Sequence, residues 1–411
     1  MGALAGIKVV EFGNGVAVGY CGALLAVCGA EVIKVEAPGR GDTVRHLPPF
    51  GEGVAAPEAS GMHAFLCAGK ASITIDLGQE QGQELARRLA VGADVVLEAL
   101  GPGAADSARI GYDSLHAAAP KLIMAALSWF GNDGPRRDWA GSDAIAQALA
   151  GFIYPIGQKD GPPIIPGGYG AQITGGLTAF IAVMAALIGG QSGADSDECG
   201  VLIDQSILEA QTTYTETAGV RTAYDGVRSV RKGLNKFTPT YPQTIYPAGD
   251  GWIGVTTLTP AQWFACCDLI GAPELFDDPR FSTSAARNAN ADELDTYLVP
   301  LFAKRPALEW FHEGQAKRVP LAPVPTMADL AELDHFQARE VLARYEHPDL
   351  GSFSAAAIPW KLASTPLRKG GAAPRLGQDT RDVLRAELGL GDHELSALAA
   401  VGAIGLGGSG S

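Results

Sequence analysis

The chain has 411 residues, a formal net charge of −14, 47% apolar and 18% charged residues, 53 Gly and 26 Pro. It is long enough for two domains and too apolar to be disordered. It lacks the clustered Lys and Arg that nucleic acid or an anionic membrane surface demands, although a small anionic ligand needs only a local basic pocket.

Residues 7–11 (IKVVE) form a β-branched run that reads as a buried strand. An apolar helical stretch follows over 18–28, ended by Gly29, and the next strand is 31–35 (EVIKV). A third strand is expected at 71–77 (ASITIDL), a helix at 79–91, and strands at 94–97 (DVVL) and 122–127. Strands alternating with helices at this spacing imply an α/β fold built on a largely parallel sheet with crossover helices. The Gly- and Pro-rich stretch 151–170 reads as loop, 176–188 as a buried helix too short to span a bilayer, 201–203 as a strand and 204–218 as helix. Beyond Gly219 the pattern changes. Asp250-Gly251 marks a hairpin turn, and 260–270, 291–302 and 308–317 are amphipathic helices. This gives a large domain over 1–224, a small domain over 225–330, a return to the large domain over 331–404 with a helix at 380–388, and a flexible tail or added linker over 405–411 (GLGGSGS).

The six cysteines, Cys21, Cys28, Cys67, Cys199, Cys266 and Cys267, form no CxxC pair and no zinc-spaced cluster with His. They read as free thiols of a reducing cytoplasm, and no metal site is expected. The first six residues lack a charged n-region and a cleavage site, so no export signal is expected.

Four ordered stretches and a tail signature carry a resemblance to a known family. They are 6–12 (GIKVVEF) with 29–42 (GAEVIKVEAPGRGD), and 93–98 (ADVVLE) with Gly101-Pro102-Gly103. Then come 130–135 (FGNDGP) with Ser142-Asp143 and 147–151 (QALAG), then 201–206 (VLIDQS), and last Ala373-Pro374, Leu376-Gly377, Thr380 and Val383-Leu384. Order and spacing hold over nearly the whole chain, which resembles CoA-transferase family III, the formyl-CoA transferase and carnitine CoA-transferase group. The resemblance implies a large Rossmann-like domain, a smaller α+β domain and two rings threaded through each other as an interlocked dimer. It also implies CoA transfer between an acyl-CoA and a carboxylic acid, with no covalently bound cofactor.

In such enzymes an aspartate carboxylate attacks the thioester, passes through a mixed anhydride and becomes an aspartyl-CoA thioester. That aspartate stands four residues before a glycine opening an apolar helix. Here the glycine is Gly176, and the position holds Gln172, read as a neutral loop residue that hydrogen-bonds its surroundings or as one that orients a ligand or water. No Asp or Glu occurs between Gly161 and Gly190, so no slip of register restores the nucleophile. The family's CoA-holding positions are similarly depleted. A Gln of the first loop corresponds to Val16, an Arg after the second strand to Ala37, a Lys-Arg pair to Lys70-Ala71, and an Asn-Phe pair to Ala99-Leu100. Each lost guanidinium removes a charge-assisted contact of roughly 1.5–3 kcal/mol. Lys34, Arg40, Arg45 and Lys70 survive, with Arg40 and Asp42 read as a turn clamp and Lys70 as either a phosphate contact or a solvated strand-edge lysine.

A related racemase would use a His where Ser142 stands and an acid where Gln172 stands. His46 and His63 read as surface or core residues, and Asp143 as an N-terminal helix cap. Three functions follow. The first is a non-catalytic subunit paired with an Asp-bearing homologue that holds most of the CoA, resembling a chain of succinyl-CoA:benzylsuccinate CoA-transferase. The second is a thioester enzyme with hydrolase- or racemase-like chemistry. The third is an engineered Asp→Gln form of an active transferase, or a binding protein. Tyr241, Tyr246 and Trp252 are candidates for an aromatic-acid site or for packing.

Overall fold

The structure is a computed structural model that describes residues 2–192, 199–237, 240–368 and 371–407. The chain divides into two compact units, one of residues 2–152, 165–220 and 338–407, the other of 153–164 and 221–337.

The first unit is built on a seven-stranded sheet. Its strands are β1 (Lys8–Gly13), β2 (Glu31–Glu36), β3 (Ala71–Ile75), β4 (Val95–Ala99), β5 (Ile123–Ser128), β6 (Val201–Ser206) and a short final strand from the end of the chain. The six long strands run parallel in the order 3-2-1-4-5-6, the doubly wound arrangement whose order reverses between β1 and β4. β1 to β5 are buried along most of their length rather than on alternate residues, while the edge strand β6 is largely exposed. Val10, Phe12, Ile73 and Val96 pack on one side with Leu85, Leu89, Leu384 and Leu395 from the Glu80–Val91, Thr380–Leu388 and Asp392–Ala400 helices. Val9, Val95, Leu97 and Ala125 pack on the other with the Val16–Val27 and Gly170–Ser192 helices.

The Gly170–Ser192 helix is six residues longer at its start than the apolar run in the sequence suggests. Gln172 therefore sits in its first turn and not in a loop. Residues Gly170–Gly190 are also long and apolar enough, by length and composition, to cross a membrane, contrary to the expectation of a short segment. In the fold this helix lies along the Val16–Val27 helix and the β5–β6 edge. Gly176 permits the close approach: a Cβ there would come within 2.4 Å of the Ala17 carbonyl oxygen.

The second unit holds the antiparallel sheet β7 (Gln243–Ala248), β8 (Gly251–Thr256) and β9 (Leu321–Pro323), with the expected hairpin at Asp250. The Pro260–Leu269, Ala291–Phe302 and Ala307–Ala316 helices pack on it around Trp263, Phe281, Phe302 and Trp310. Tyr241 and Tyr246 are 1% and 2% exposed and both donate their hydroxyls to Asp295 Oδ1. They are core residues and line no acid site, and Trp252 on β8 is exposed. The hairpin β10 (Leu342–His347) and β11 (Gly351–Ala356) returns the chain to the first unit. There β12 (Ile404–Gly405) closes the sheet antiparallel to β3. Gly405 is thus strand rather than linker, and residues 408–411 of the expected tail lie outside the described residues.

Candidate active site

Beneath the Val16–Val27 helix lies a network of buried charge. Glu11 on β1 accepts from Lys34 Nζ (2.7 Å) and Lys70 Nζ (2.7 Å), all three side chains at most 1% exposed. Lys34 also meets Asp42 Oδ2 at 2.5 Å. Burial alone would raise the Glu11 carboxyl, but the two ammonium groups outweigh it and hold its pKa below the ordinary carboxylate range. Lys70 also donates to the Gly19 carbonyl at 2.8 Å, so it is neither a solvated edge lysine nor open to a phosphate. The turn clamp is Arg45, not Arg40. Buried Arg45 grips Glu36 with Nε (2.7 Å) and Nη2 (2.9 Å) and reaches Glu58 with Nη1 (2.9 Å). Burial would again push the Glu36 carboxyl up, yet the Arg45 hydrogen bonds bring it down to about 2. Arg40 is exposed.

This network sets the loop that faces the sheet's carboxyl end. Asp42 Oδ1 accepts from Gly15 N (3.0 Å) and Val44 N (2.9 Å), fixing the entry to the Val16–Val27 helix. The next amide, Val16 N, donates to Gln172 Oε1 at 3.1 Å. Gln172 Nε2 donates to Asp143 Oδ2 at 2.8 Å, while Asp143 Oδ1 accepts from the backbone amides of Ala171 (2.9 Å) and Gln172 (3.2 Å). Asp143 therefore caps the Gly170–Ser192 helix, not its own. The Asp143–Leu149 helix is capped by Ser142, which accepts from Ile145 N. Ser142 is committed to that cap, and His46 is exposed. His63 is buried without a ring partner, its pKa pushed down to about 2 by burial and by the Arg45 charge.

Gln172 opens on a cavity of about 250 Å³ at the carboxyl ends of β1, β4 and β5, where strand order reverses and doubly wound sheets bind ligands. Ala99 and Leu100 line it, as do Asn14 and Ile207. Of the residues singled out from sequence, the fold thus brings Val16, Ala99, Leu100 and Gln172 together. It leaves Ala37 and Arg40 exposed on the turn after β2, Ala71 half-buried at the start of β3, and Lys70 in the charge network. Sequence reasoning missed Ser128, Trp129, Arg137 and Trp139, which also line the cavity. The signal was present: Ser128 ends β5, and the residues just beyond parallel strands are where sites form.

Among the described residues no carboxylate, imidazole or thiol lines this cavity. Glu98 precedes Ala99 on β4, but its Oε2 accepts from Leu100 N at 2.9 Å. Burial pushes its carboxyl up to about 7, with Asp106 and Asp204 adding to the shift and the Leu100 amide opposing it. A larger cavity of about 510 Å³, between β10 and the 357–368 segment around Trp360, contains none of these residues and is remote from the chemistry. Glu58, His347 and Asp349 have ligand atoms within 4.8 Å of one another. Arg45 and Arg375 take the two carboxylates, and His347 Nδ1 accepts from the Asp349 and Leu350 amides.

Residues 4–380 match CoA-transferase family III. The chain belongs to that family. It is 32% identical over 405 residues to succinyl-CoA–D-citramalate CoA-transferase of Chloroflexus aurantiacus, covering 96% of each chain. It is 31% identical over 387 residues to succinate–glutarate CoA-transferase of Agrobacterium fabrum, covering 94% of this chain and 95% of that one. Among solved structures, a CaiB/BaiF family protein from Brucella suis superposes with a TM-score of 0.82 at 30% identity, covering 94% of this chain and 100% of the other. The chain thus carries the family III fold, with the Gln172 amide on the wall of a cavity at the carboxyl ends of its strands.

Proposed function

We propose that this chain is the non-catalytic subunit of a heteromeric CoA-transferase and works beside a homologue that bears the attacking aspartate and holds most of the CoA. One observation carries the reading: the Gln172 amide is engaged at both ends, by Val16 N and Asp143, on a cavity wall with no ionisable nucleophile. A neutral amide cannot form the acyl intermediate. The alanines at positions 37, 71 and 99 and the buried pairing of Lys70 support a weakened CoA grip as part of the same loss. A single engineered change at 172 would leave those alanines unaccounted for. A hydrolase or racemase would need a base, and Ser128 has none beside it on the wall.

The relatives' names pair succinyl-CoA or succinate with different acids, and the assembly would move CoA between an acyl-CoA and a carboxylic acid. Interlocking with a homologous chain fits the apolar surface that Leu177, Ile181, Ile188 and Leu202 leave on the Gly170–Ser192 helix and the edge strand β6. Free cysteines, five of six buried, fit a reducing cytoplasm. The test is to purify the chain alone and with an Asp-bearing homologue, then measure CoA binding by calorimetry and CoA transfer from succinyl-CoA. The expected result is weak or no binding and no turnover alone, with transfer by the pair. Turnover by the chain alone, with a trapped acyl-enzyme, overturns the reading.

A further inference from the structure

The cavity at Gln172 has a composition that its family position does not require. Its volume of about 250 Å³ lies below the usual range for drug-sized ligands, roughly 300–1,000 Å³, so it takes a small molecule. Two indoles, Trp129 and Trp139, form part of its wall together with Leu100 and Ile207. Both rings are held. Trp129 packs against Gly141, where a Cβ would come within 2.2 Å of the indole. Trp139 lies under the Arg136 guanidinium at 5.0 Å and edge-on to Phe130 at 6.2 Å.

Two polar groups on the same wall keep bonding capacity to spare. Ser128 Oγ is buried, in a residue 8% exposed, and has no hydrogen-bond partner among the described residues, which in an apolar setting asks for a ligand atom. Among the described residues Arg137 makes two bonds of 3.3 Å, an exposed ion pair from Nε to Asp138 Oδ1 and a hydrogen bond from Nη1 to Asn132 O. Its Nη2 has no bond among the described residues and lies toward the Gly103 turn. A guanidinium and a hydroxyl beside paired indoles, with no acid on the wall to repel an anion, match a carboxylate carried on a flat apolar body.

Building on the reading of this chain as a subunit of a CoA-transferase, we infer that the cavity binds a small aryl carboxylic acid, with Arg137 and Ser128 on its carboxylate and Trp129 and Trp139 on its ring. Calorimetry on the full chain with phenylacetate and with succinate tests it. Phenylacetate is expected to bind at least about tenfold tighter than succinate. Arg137→Gln is expected to weaken phenylacetate by about tenfold or more. Trp139→Ala is expected to reduce the preference for phenylacetate by about fivefold. Both side chains are substantially exposed, so these variants keep the fold. Equal or tighter binding of succinate, no binding of either acid, or a preference untouched by Trp139→Ala overturns the inference. The two readings separate cleanly. An aryl-selective chain that never supports transfer with a partner removes the subunit reading alone. A chain that supports transfer but favours succinate removes this one alone.

Discussion

At the scale of single residues, Gln172 shows what an amide offers that a carboxylate cannot: a donor for Asp143 and an acceptor for Val16 in one side chain. Its spacing to Gly176 singled it out in the sequence, but its partners lie 29 and 156 positions away, where no local pattern points to them. Glu98 has a testable consequence. Its carboxyl is raised to about 7 in the fold from an ordinary 4.5, so the ionised form is the one the fold penalises. The penalty is absent below the unfolded-state value, grows as pH rises from about 4.5 to about 7 and is constant above that. Glu98→Gln keeps an acceptor for Leu100 N and removes the penalty. Urea unfolding is therefore expected to show the variant more stable than the parent by on the order of 2–3 kcal/mol at pH 8 and by much less at pH 5. An equal difference at both pH values would refute it.

At the scale of elements, the β-branched runs announced β1 to β6, because strands of a covered parallel sheet are rich in apolar residues even where they carry buried charge, as at Glu11 and Lys34. The start of the Gly170–Ser192 helix was hidden. Its first turns carry Gly170, Gly175 and Gly176, which read as loop, and its cap comes from Asp143 in another helix. The fates of Arg40, Arg45 and Lys70 were equally illegible, since a basic side chain in a Gly-rich stretch looks the same whether it meets solvent, a phosphate or a buried acid. The Val16–Val27 helix sits on the charge network through Gly22, where a Cβ would fall 2.0 Å from Glu11 Oε2 and 2.8 Å from Lys70 Nζ. Gly22→Ala would force that pair apart in a dry environment. The expected loss is about 3–5 kcal/mol, read as a lowered denaturation midpoint, although alanine is the better helix former. A neutral or stabilising outcome would show the helix can shift to keep the pair.

At the scale of the whole molecule, the alternation of strand and helix fixed the fold class, while surfaces that meet another chain carried no signature beyond apolarity. Ile181 and Ile188 are 57% and 58% exposed on a helix whose opposite face, at Ala179 and Val183, is fully buried. Ile181→Asp is expected to shift sedimentation of the full chain, or of its complex with an Asp-bearing homologue, toward monomer. Unchanged oligomer mass would mean that stripe is not a contact. The closing strand β12 has a consequence for biosynthesis. Thr74 hydrogen-bonds Gly405, 331 positions downstream. A nascent chain emerging from the ribosome therefore carries a finished row of parallel strands with one flank unzipped until residues 404–405 have been made. During that interval β3 presents bare amides and carbonyls to any passing strand. Chaperone occupancy should track translation of β12 rather than completion of β1 to β6.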